Sequence, residues 1–253
     1  MTGSAELGMQ REPAVAGAGP GRFRDRITSQ ADGAARMYLA GRENGQPDTL
    51  EVKRVIEMIL SPSYDGRTVI ELLQNGHDAH AEDVEDGLLE FVLVEGDGPH
   101  GALYVANGGL PLLDKDFTSL CRVGMSSKRP DQAIGHKGVG FKSVLNLTEA
   151  PEVYSKAAAD STGFDGYCFR FATGLDYENI AERLLPDDAG LAEALRQNVA
   201  GLKLPVHLSA VPAAVQRFAD RAVTVVRLPL RDASAYAREH VSSWRSCSRR
   251  TCH

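Results

Sequence analysis

The feature that most restricts the fold is a group of three closely spaced glycines, Gly135, Gly138 and Gly140, which leads into an apolar stretch. Backbone N–H groups of such a loop, placed before the start of a helix, form a site for an anion. The segment lacks the GK[ST] ending of a Walker A loop. Its glycine order is the reverse of the dinucleotide-binding fingerprint, and no strand precedes it. These two common nucleotide-binding folds are therefore disfavoured.

The composition excludes several classes of protein. With 43% hydrophobic and 25% charged residues, the chain is typical of a globular protein that buries a core. Its 28 Lys and Arg against 34 Asp and Glu give a net charge of −6, which argues against a generally basic nucleic-acid-binding protein. Four scattered cysteines are too few for a disulfide framework. We find neither a signal-peptide pattern nor an apolar run of about 18 residues, and expect a cytoplasmic protein.

We expect three regions along the chain. Residues 1–21 are rich in small residues and proline and lack periodicity, which predicts a disordered tail. Residues 22–241 are expected to form one domain. Residues 242–253 change composition abruptly and predict a disordered tail, or the end of a truncated reading frame. The two cysteines and one histidine of that tail are one ligand short of a closed structural zinc site.

Hydrophobic periodicity predicts helices and strands in an order typical of an α+β sandwich, with helices on one face of a sheet. Residues 122–140 form a long loop, a kind of segment that is usually functional or disordered. The strands are predicted over 88–95, 102–106, 167–172 and 222–228, the first two as a hairpin. The helices are predicted over 22–39, 49–60, 68–80, 114–121, 191–199, 213–219 and 234–244, with a further helical start at 141.

A polar stripe follows the predicted helix 68–80. Glu71, Asn75 and Asp78 are spaced i, i+4 and i+7, so they share one helical face beside a largely apolar one. Such a stripe is costly to bury without partners, which makes it a candidate site for a metal ion and an activated water. The alternative is structural, because Thr68-x-x-Glu71 is also a capping box in which Glu71 only caps the helix.

Two further patterns leave alternatives open. The sequence Asn107-Gly-Gly109 directly follows a predicted strand, where glycine permits close approach of the backbone to a ligand; a simple turn is the alternative. His77 and His80 are spaced i, i+3, which suggests metal binding. Because no third ligand is suggested nearby, we expect an exposed pair rather than a zinc site.

Four motifs in a fixed order carry a resemblance to a known family. They are Glu71-Leu-Leu-Gln-Asn75, Asn107-Gly-Gly109, Gly124-Met-Ser-Ser-Lys128 and Gly135-His-Lys-Gly-Val-Gly-Phe-Lys-Ser-Val144. Together they resemble the ATP-binding domain shared by gyrase, the large heat-shock chaperones, histidine kinases and MutL (GHKL), and are most similar to its sacsin-type, chaperone-like branch. The resemblance covers about residues 48–230. It implies the Bergerat fold, a two-layer α/β sandwich with a mixed, mostly antiparallel sheet, helices on one face and a glycine-rich ATP lid.

The resemblance implies a role for each matched residue. Glu71 is expected to be the general base that polarises the attacking water, and Asn75 to bind Mg²⁺ through its side-chain oxygen. Asn107 stands where most of the superfamily has aspartate, and is expected to accept the adenine amino hydrogen with help from Thr224. Lys128 is expected to reach the phosphates. The other nucleotide-binding positions that we expect are Asp78, Gly109, Gly135, His136, Lys137, Gly138, Val139, Gly140 and Phe141.

The function implied by the resemblance is Mg²⁺-dependent binding of ATP, with slow hydrolysis to ADP and phosphate driving a conformational switch. The alternative is a non-catalytic, nucleotide-responsive interaction module, a remnant of a larger protein, because relatives that hydrolyse ATP well recruit a Lys or Arg from a following domain or partner. A histidine kinase is disfavoured, since no pair of dimerisation helices precedes the site. ATP and ADP are the expected ligands, and nucleotide-dependent self-association or a protein partner is the expected interaction. Neither a membrane nor a nucleic acid is indicated.

Overall fold

The computed structural model describes residues 21–45, 68–80, 87–121, 140–199 and 201–232. Several predictions lie outside these residues and are not described further. They are the helices at 49–60 and 234–244, most of both tails, and the loop at 122–139 with Lys128 and the glycine-loop positions 135–139.

The described residues form six α-helices, six strands and two 3-10 helices. The α-helices are α1 (Gly21–Glu43), α2 (Thr68–Asp78), α3 (Asp114–Cys121), α4 (Leu175–Leu184), α5 (Leu191–Asn198) and α6 (Ala213–Gln216). The strands are β1 (Leu89–Val94), β2 (Ala102–Asn107), β3 (Glu152–Ser155), β4 (Cys168–Phe171), β5 (Pro205–His207) and β6 (Thr224–Pro229). The 3-10 helices span Gly140–Asn146 and Gly201–Lys203.

The six described strands form one sheet in the order β1-β2-β6-β3-β4-β5. Every neighbouring pair is antiparallel, so the mixed sheet that we expected is antiparallel throughout these strands. The β1–β2 hairpin is confirmed, and it turns through Gly98 and Gly101, both with positive φ. The last of the described strands, β6, inserts between β2 and β3 and thereby joins the two halves of the sheet.

One face of the sheet is covered by the first three helices, as predicted. Leu72 of α2 belongs to a buried cluster with Leu103 of β2 and Leu228 of β6. Ile27 of α1 and Phe117 of α3 pack in a second cluster on β3 and β4. The alternation of side chains along a strand places residues 103, 105 and 107 of β2 on this same helical face.

The opposite face is also covered, which the expectation of helices on one face did not include. Tyr104 of β2 stacks on Phe218, with ring centroids 5.6 Å apart, and Val215 of α6 belongs to the same buried cluster. The physical reason is that every residue of β2 is buried, so the apolar side chains of both faces need packing partners. Among the described helices, none is long and apolar enough to cross a membrane.

The predicted elements match the observed ones closely where the periodicity was long. The predicted helix 213–219 ends early, at Gln216, and the helical start at 141 is a 3-10 helix. Three elements were missed, namely β3, β5 and α4. Strand β3 lies between Pro151 and Lys156, and β5 opens with Pro205, so neither lies in a longer apolar run such as 167–172, which identified the equally short β4. Helix α4 has no side-chain cap on its N-cap Gly174, and it begins on an exposed leucine.

Candidate functional site

Three polar residues lie side by side where neighbouring strands end. Asn107 closes β2, Thr224 opens β6 and Ser155 closes β3; Thr224 is the Cα partner of both of the others. Cross-strand partners project on the same face, which here is the face that carries α2. Asn107 and Thr224 retain 7% and 8% of their surface exposed, and Ser155 is fully buried. The structure therefore brings the two predicted base-binding residues together and adds a third.

The Ser155 hydroxyl is the centre of a small hydrogen-bond network. Its Oγ accepts the backbone N–H of Leu112 at 2.9 Å and lies 3.2 Å from the carbonyl oxygen of Lys156, to which it donates. The same Oγ lies 3.1 Å from Oγ1 of Thr224. Ser155 was missed in the sequence. The usable signal was a hydroxyl at the end of the apolar run Val153-Tyr154, but a single serine in that place is too common to stand out.

The Asn107 amide is held by its own loop. Its Nδ2 donates to the carbonyl oxygen of Gly108 at 2.7 Å. Within the described part of the chain, its Oδ1 has no hydrogen-bond partner. An amide oxygen without a partner, on a residue that is only 7% exposed, is an acceptor available to a ligand.

Gly109 requires glycine for two reasons. Its φ is +82°, and an added Cβ would lie 2.5 Å from the carbonyl oxygen of Ala79, at the end of α2. The same carbonyl accepts the N–H of Leu110 at 2.8 Å. The Asn-Gly-Gly segment is therefore a turn, and its glycine permits the turn to contact the end of α2 directly.

Helix α2 places its three predicted polar residues at different depths. Glu71 is buried, with 9% of its surface exposed, whereas Asn75 and Asp78 are exposed. Neither Glu71 nor Asn75 has a side-chain hydrogen bond or ion pair with another described residue. Asp78 lies 3.8 Å from the imidazole of His77. With respect to the described residues, the side-chain oxygens of Glu71 and Asn75 are therefore unpaired.

The Thr68 hydroxyl makes a different hydrogen bond from the one that the capping-box alternative requires. Thr68 is buried, and its Oγ1 donates to the carbonyl oxygen of Ser143 at 3.0 Å. This bond joins α2 to the 3-10 helix Gly140–Asn146, which continues from the glycine loop. Phe141, a predicted site residue, packs half-buried against the apolar clusters of this face. The end of the glycine loop is thus fixed beside α2.

The expectation of an exposed histidine pair is wrong for one member. His77 is exposed, but the Nδ1 of His80 lies 2.8 Å from the carbonyl oxygen of Gly76, so Nδ1 carries the ring proton and donates. Its Nε2 is buried without a partner, in a slot where an added Cβ on Gly87 would lie 2.9 Å away. The described residues contain no group of three or more His, Cys, Asp or Glu that could hold a metal ion.

A second polar cluster occupies the other face of the same three strands. The Arg227 guanidinium donates to both oxygens of Asp97, at 2.9 and 2.7 Å, and to Glu152 at 2.7 Å. Hydrogen bonding to Arg227 lowers the pKa of Asp97 below its usual value. Burial, followed by the hydrogen bond to Asp97, raises the pKa of Tyr104 to about 12. Each charge in this cluster is paired, so it presents no free group to a ligand.

These features define an α+β domain with an antiparallel sheet, helices packed on it and a neutral polar site at three strand ends. The family model described as the Sacsin domain matches residues 49–250, so the chain belongs to the Sacsin domain family. Helix α1 precedes the matched residues.

Two curated relatives are similar over part of the chain. Protein NO VEIN of Arabidopsis thaliana is 31% identical over 110 residues, which cover 43% of this chain and 4% of that protein. Sacsin of Homo sapiens is 32% identical over 124 residues, covering 44% of this chain and 3% of that protein. The chain therefore matches only a small part of the length of these relatives.

Proposed function

We propose that this Sacsin-family domain binds ATP with Mg²⁺ and hydrolyses it slowly. The observation that carries the proposal is the register of β2 and β6, which makes Asn107 and Thr224 neighbours on the face that carries α2. These are two residues that the GHKL resemblance assigns to the adenine. Two positions 117 residues apart in sequence meet at one nearly buried site, in the arrangement that the assignment requires.

The base is proposed to bind at the three strand ends. The unpaired Oδ1 of Asn107 accepts a hydrogen of the adenine amino group, and Thr224 contributes its hydroxyl beside it. Gly109 allows the loop that follows Asn107 to contact the end of α2 directly. A few polar groups that give specificity within an apolar surrounding are typical of a nucleotide pocket.

The phosphates are proposed to lie along α2. The amide of Asn75 is exposed and unpaired among the described residues, and its oxygen is a ligand type that Mg²⁺ prefers. When bound, Mg²⁺ neutralises phosphate charge and orients the triphosphate. Glu71 lies one turn earlier and deeper, where its carboxylate is proposed to take a proton from the attacking water. Asp78 extends the same polar stripe.

The glycine loop is proposed to cover the triphosphate. Its predicted contributors are Lys128, Gly135, His136, Lys137, Gly138 and Val139, with Gly140 and Phe141 at its end. The support from the described residues is the Thr68–Ser143 hydrogen bond, which holds the end of this loop against α2. Backbone N–H groups of a glycine loop that leads into a helical segment are a typical anion-binding arrangement, and we propose that here they bind the triphosphate.

Binding is tested by titration with a fluorescent ATP analogue, with and without Mg²⁺. Saturable binding that requires Mg²⁺ is expected, and Asn75→Ala should remove the Mg²⁺ dependence. The matched control is His77→Ala, an exposed residue on the same helix, which should bind like the unaltered protein. A folded protein without saturable binding would show that the proposal is wrong.

Hydrolysis is tested separately by phosphate release at saturating ATP. Glu71→Gln keeps the shape of the side chain and should retain binding, while turnover falls about 100-fold or more because the base is lost. Glu178→Gln, an exposed glutamate on α4, is the control. Binding without any phosphate release from the unaltered domain would favour the non-catalytic interaction module instead.

A further inference from the structure

The Ser155 hydroxyl has one proton and three neighbours. The backbone N–H of Leu112 can only donate, and the carbonyl oxygen of Lys156 can only accept. Thr224 Oγ1 can do either. The direction of the Ser155–Thr224 bond therefore depends on where the Ser155 proton goes.

The carbonyl of Lys156 decides this direction. Lys156 is a buried residue, and across the described ranges no donor other than Ser155 reaches its carbonyl oxygen. Because an unpaired buried carbonyl is costly, Ser155 donates there and accepts from both Leu112 and Thr224. Thr224 then donates its only proton to Ser155, so it can offer a ligand only the lone pairs of its hydroxyl oxygen.

The side-chain amide of Asn107 also presents an acceptor, for a different reason. Its Nδ2 is held by the carbonyl of Gly108 at 2.7 Å, which turns Oδ1 away from that carbonyl. A flipped amide would place two oxygens against each other. The strand ends therefore present two neighbouring acceptors, one from Asn107 and one from Thr224.

We infer that Ser155 is a positioning residue that makes Thr224 an acceptor, and that the site consequently selects bases with an exocyclic amino group over bases with a keto oxygen. The inference rests on the proposed function and concerns its base specificity. An amino group supplies two N–H donors to the two acceptors. A keto oxygen at the same place brings lone pairs against lone pairs, and a site built for hydrogen bonding rejects such a ligand strongly.

The test compares ADP with inosine 5′-diphosphate, in which a keto oxygen replaces the amino group. Affinities are measured by isothermal titration calorimetry. The unaltered domain should prefer ADP by at least about tenfold. In Ser155→Ala, Thr224 can rotate and donate, so the preference should fall by roughly three- to tenfold, the value of one hydrogen bond. If Ser155 had only a structural role, Ser155→Ala would change the stability of the domain but not the ratio of its affinities for ADP and inosine 5′-diphosphate.

Thr148→Val is the matched control. Thr148 is buried, and its Oγ1 accepts a backbone N–H, that of Ala150 at 3.2 Å, as Ser155 accepts that of Leu112. It lies away from the strand ends, so the control removes a comparable hydrogen bond and should keep the ADP preference. If Ser155→Ala does not fold, Ser155→Cys keeps the volume with a much weaker hydrogen-bonding group and replaces it in the comparison.

A double-mutant cycle with Thr224→Val tests whether Ser155 acts through Thr224. The double variant should show the same base preference as Thr224→Val alone, because the group that Ser155 orients is then absent. The inference is overturned if Ser155→Ala keeps the full preference, or if the unaltered domain binds both nucleotides equally. Failure of the unaltered domain to bind either nucleotide is a different result, and it overturns the proposed function itself.

Discussion

Two rows of polar residues cross the same three strands, and they differ in how completely they are paired. Tyr104, Arg227 and Glu152 are cross-strand partners on β2, β6 and β3. Three residues further along β2, Asn107 begins the second row, with Thr224 and Ser155 as the cross-strand partners on the other two strands. The rows are three positions apart along each strand, and because this offset is odd they project on opposite faces of the sheet.

The charged row is saturated and the neutral row is not. Arg227 has Asp97 and Glu152 as counter-charges, and Tyr104 donates its hydroxyl to Asp97. In the neutral row, the side-chain oxygen Oδ1 of Asn107 has no partner among the described residues. A fully paired row fastens strands together, whereas a row with unused hydrogen-bonding capacity is prepared for a ligand.

The largest effect is expected from Arg227→Met, which breaks the charged row. The change leaves two mostly buried carboxylates facing each other, so the free energy of unfolding should fall by about 3–5 kcal/mol. Urea denaturation measures this loss. Arg196→Met is the control, because its ion pair with Glu193 is exposed and should contribute little. Nucleotide affinity of the folded fraction should not change; a specific loss of affinity would contradict the division between the two rows.

The next effect concerns the turn that supports the neutral row. Gly109→Ala combines a positive φ with a clash against a backbone carbonyl, and should cost about 2–4 kcal/mol of stability and abolish base binding. Gly98→Ala is the matched comparison, since Gly98 has φ +86° and open space around it. It should cost only about 1–2 kcal/mol. Equal losses in thermal unfolding would mean that the contact with α2 has no role.

A smaller effect separates binding from stability. Asn107→Leu removes the amide from the neutral row and should lower ADP affinity by about tenfold or more, with little change in the melting temperature. Tyr104→Phe removes one hydroxyl from the charged row and should do the opposite, lowering stability while affinity stays the same. The ADP affinity of both variants is measured by calorimetric titration, and their melting temperatures by thermal unfolding. An equal loss of ADP affinity in both variants would contradict the proposed difference between the neutral row and the charged row.

The smallest effect is on pH dependence. Arg227 holds the pKa of Asp97 below its usual value of 3.8, so this pair stabilises the fold fully above about pH 4 and loses its contribution as pH falls through the lower, folded-state pKa. In Asp97→Asn, the free energy of unfolding should decrease less steeply on the acid side of its pH profile (the acid limb). Urea unfolding from pH 6 to pH 3 measures this. An unchanged limb would show that other carboxylates account for it. The neutral row contains no titratable side chain and should contribute nothing to this limb.

The comparison also indicates which parts of the fold were predictable. The amphipathic pattern of α2 and the two apolar runs of the β1–β2 hairpin, joined by a glycine-rich segment, were long enough to be identified without any structure. Strand β3 was missed because its four residues lie between Pro151 and Lys156 and not in a longer apolar run, and Ser155 was missed with it. The placement of Asn107 beside Thr224 was expected only through the resemblance, since 117 residues separate them.

The glycine at position 76, inside α2, has a physical reason that the sequence could not give. Glycine inside a helix costs helix propensity relative to alanine. In the structure Gly76 is buried, and an added Cβ would lie 2.5 Å from a methyl group of Leu89. The glycine therefore permits α2 to approach β1 closely. His80 was similarly mistaken for an exposed residue, because only the packed fold puts its ring between the helix end and Gly87.

By itself, the sequence determined the types of the longer elements, the polar stripe on α2 and the order of the four motifs, because these depend on local spacing along the chain. The Sacsin-domain match rests on the sequence as well. Only the tertiary structure decided that β6 lies between β2 and β3, and so which hydroxyl meets Thr224. Strand order and register are set by packing on both faces of the sheet, and that information is spread over residues far apart in the chain.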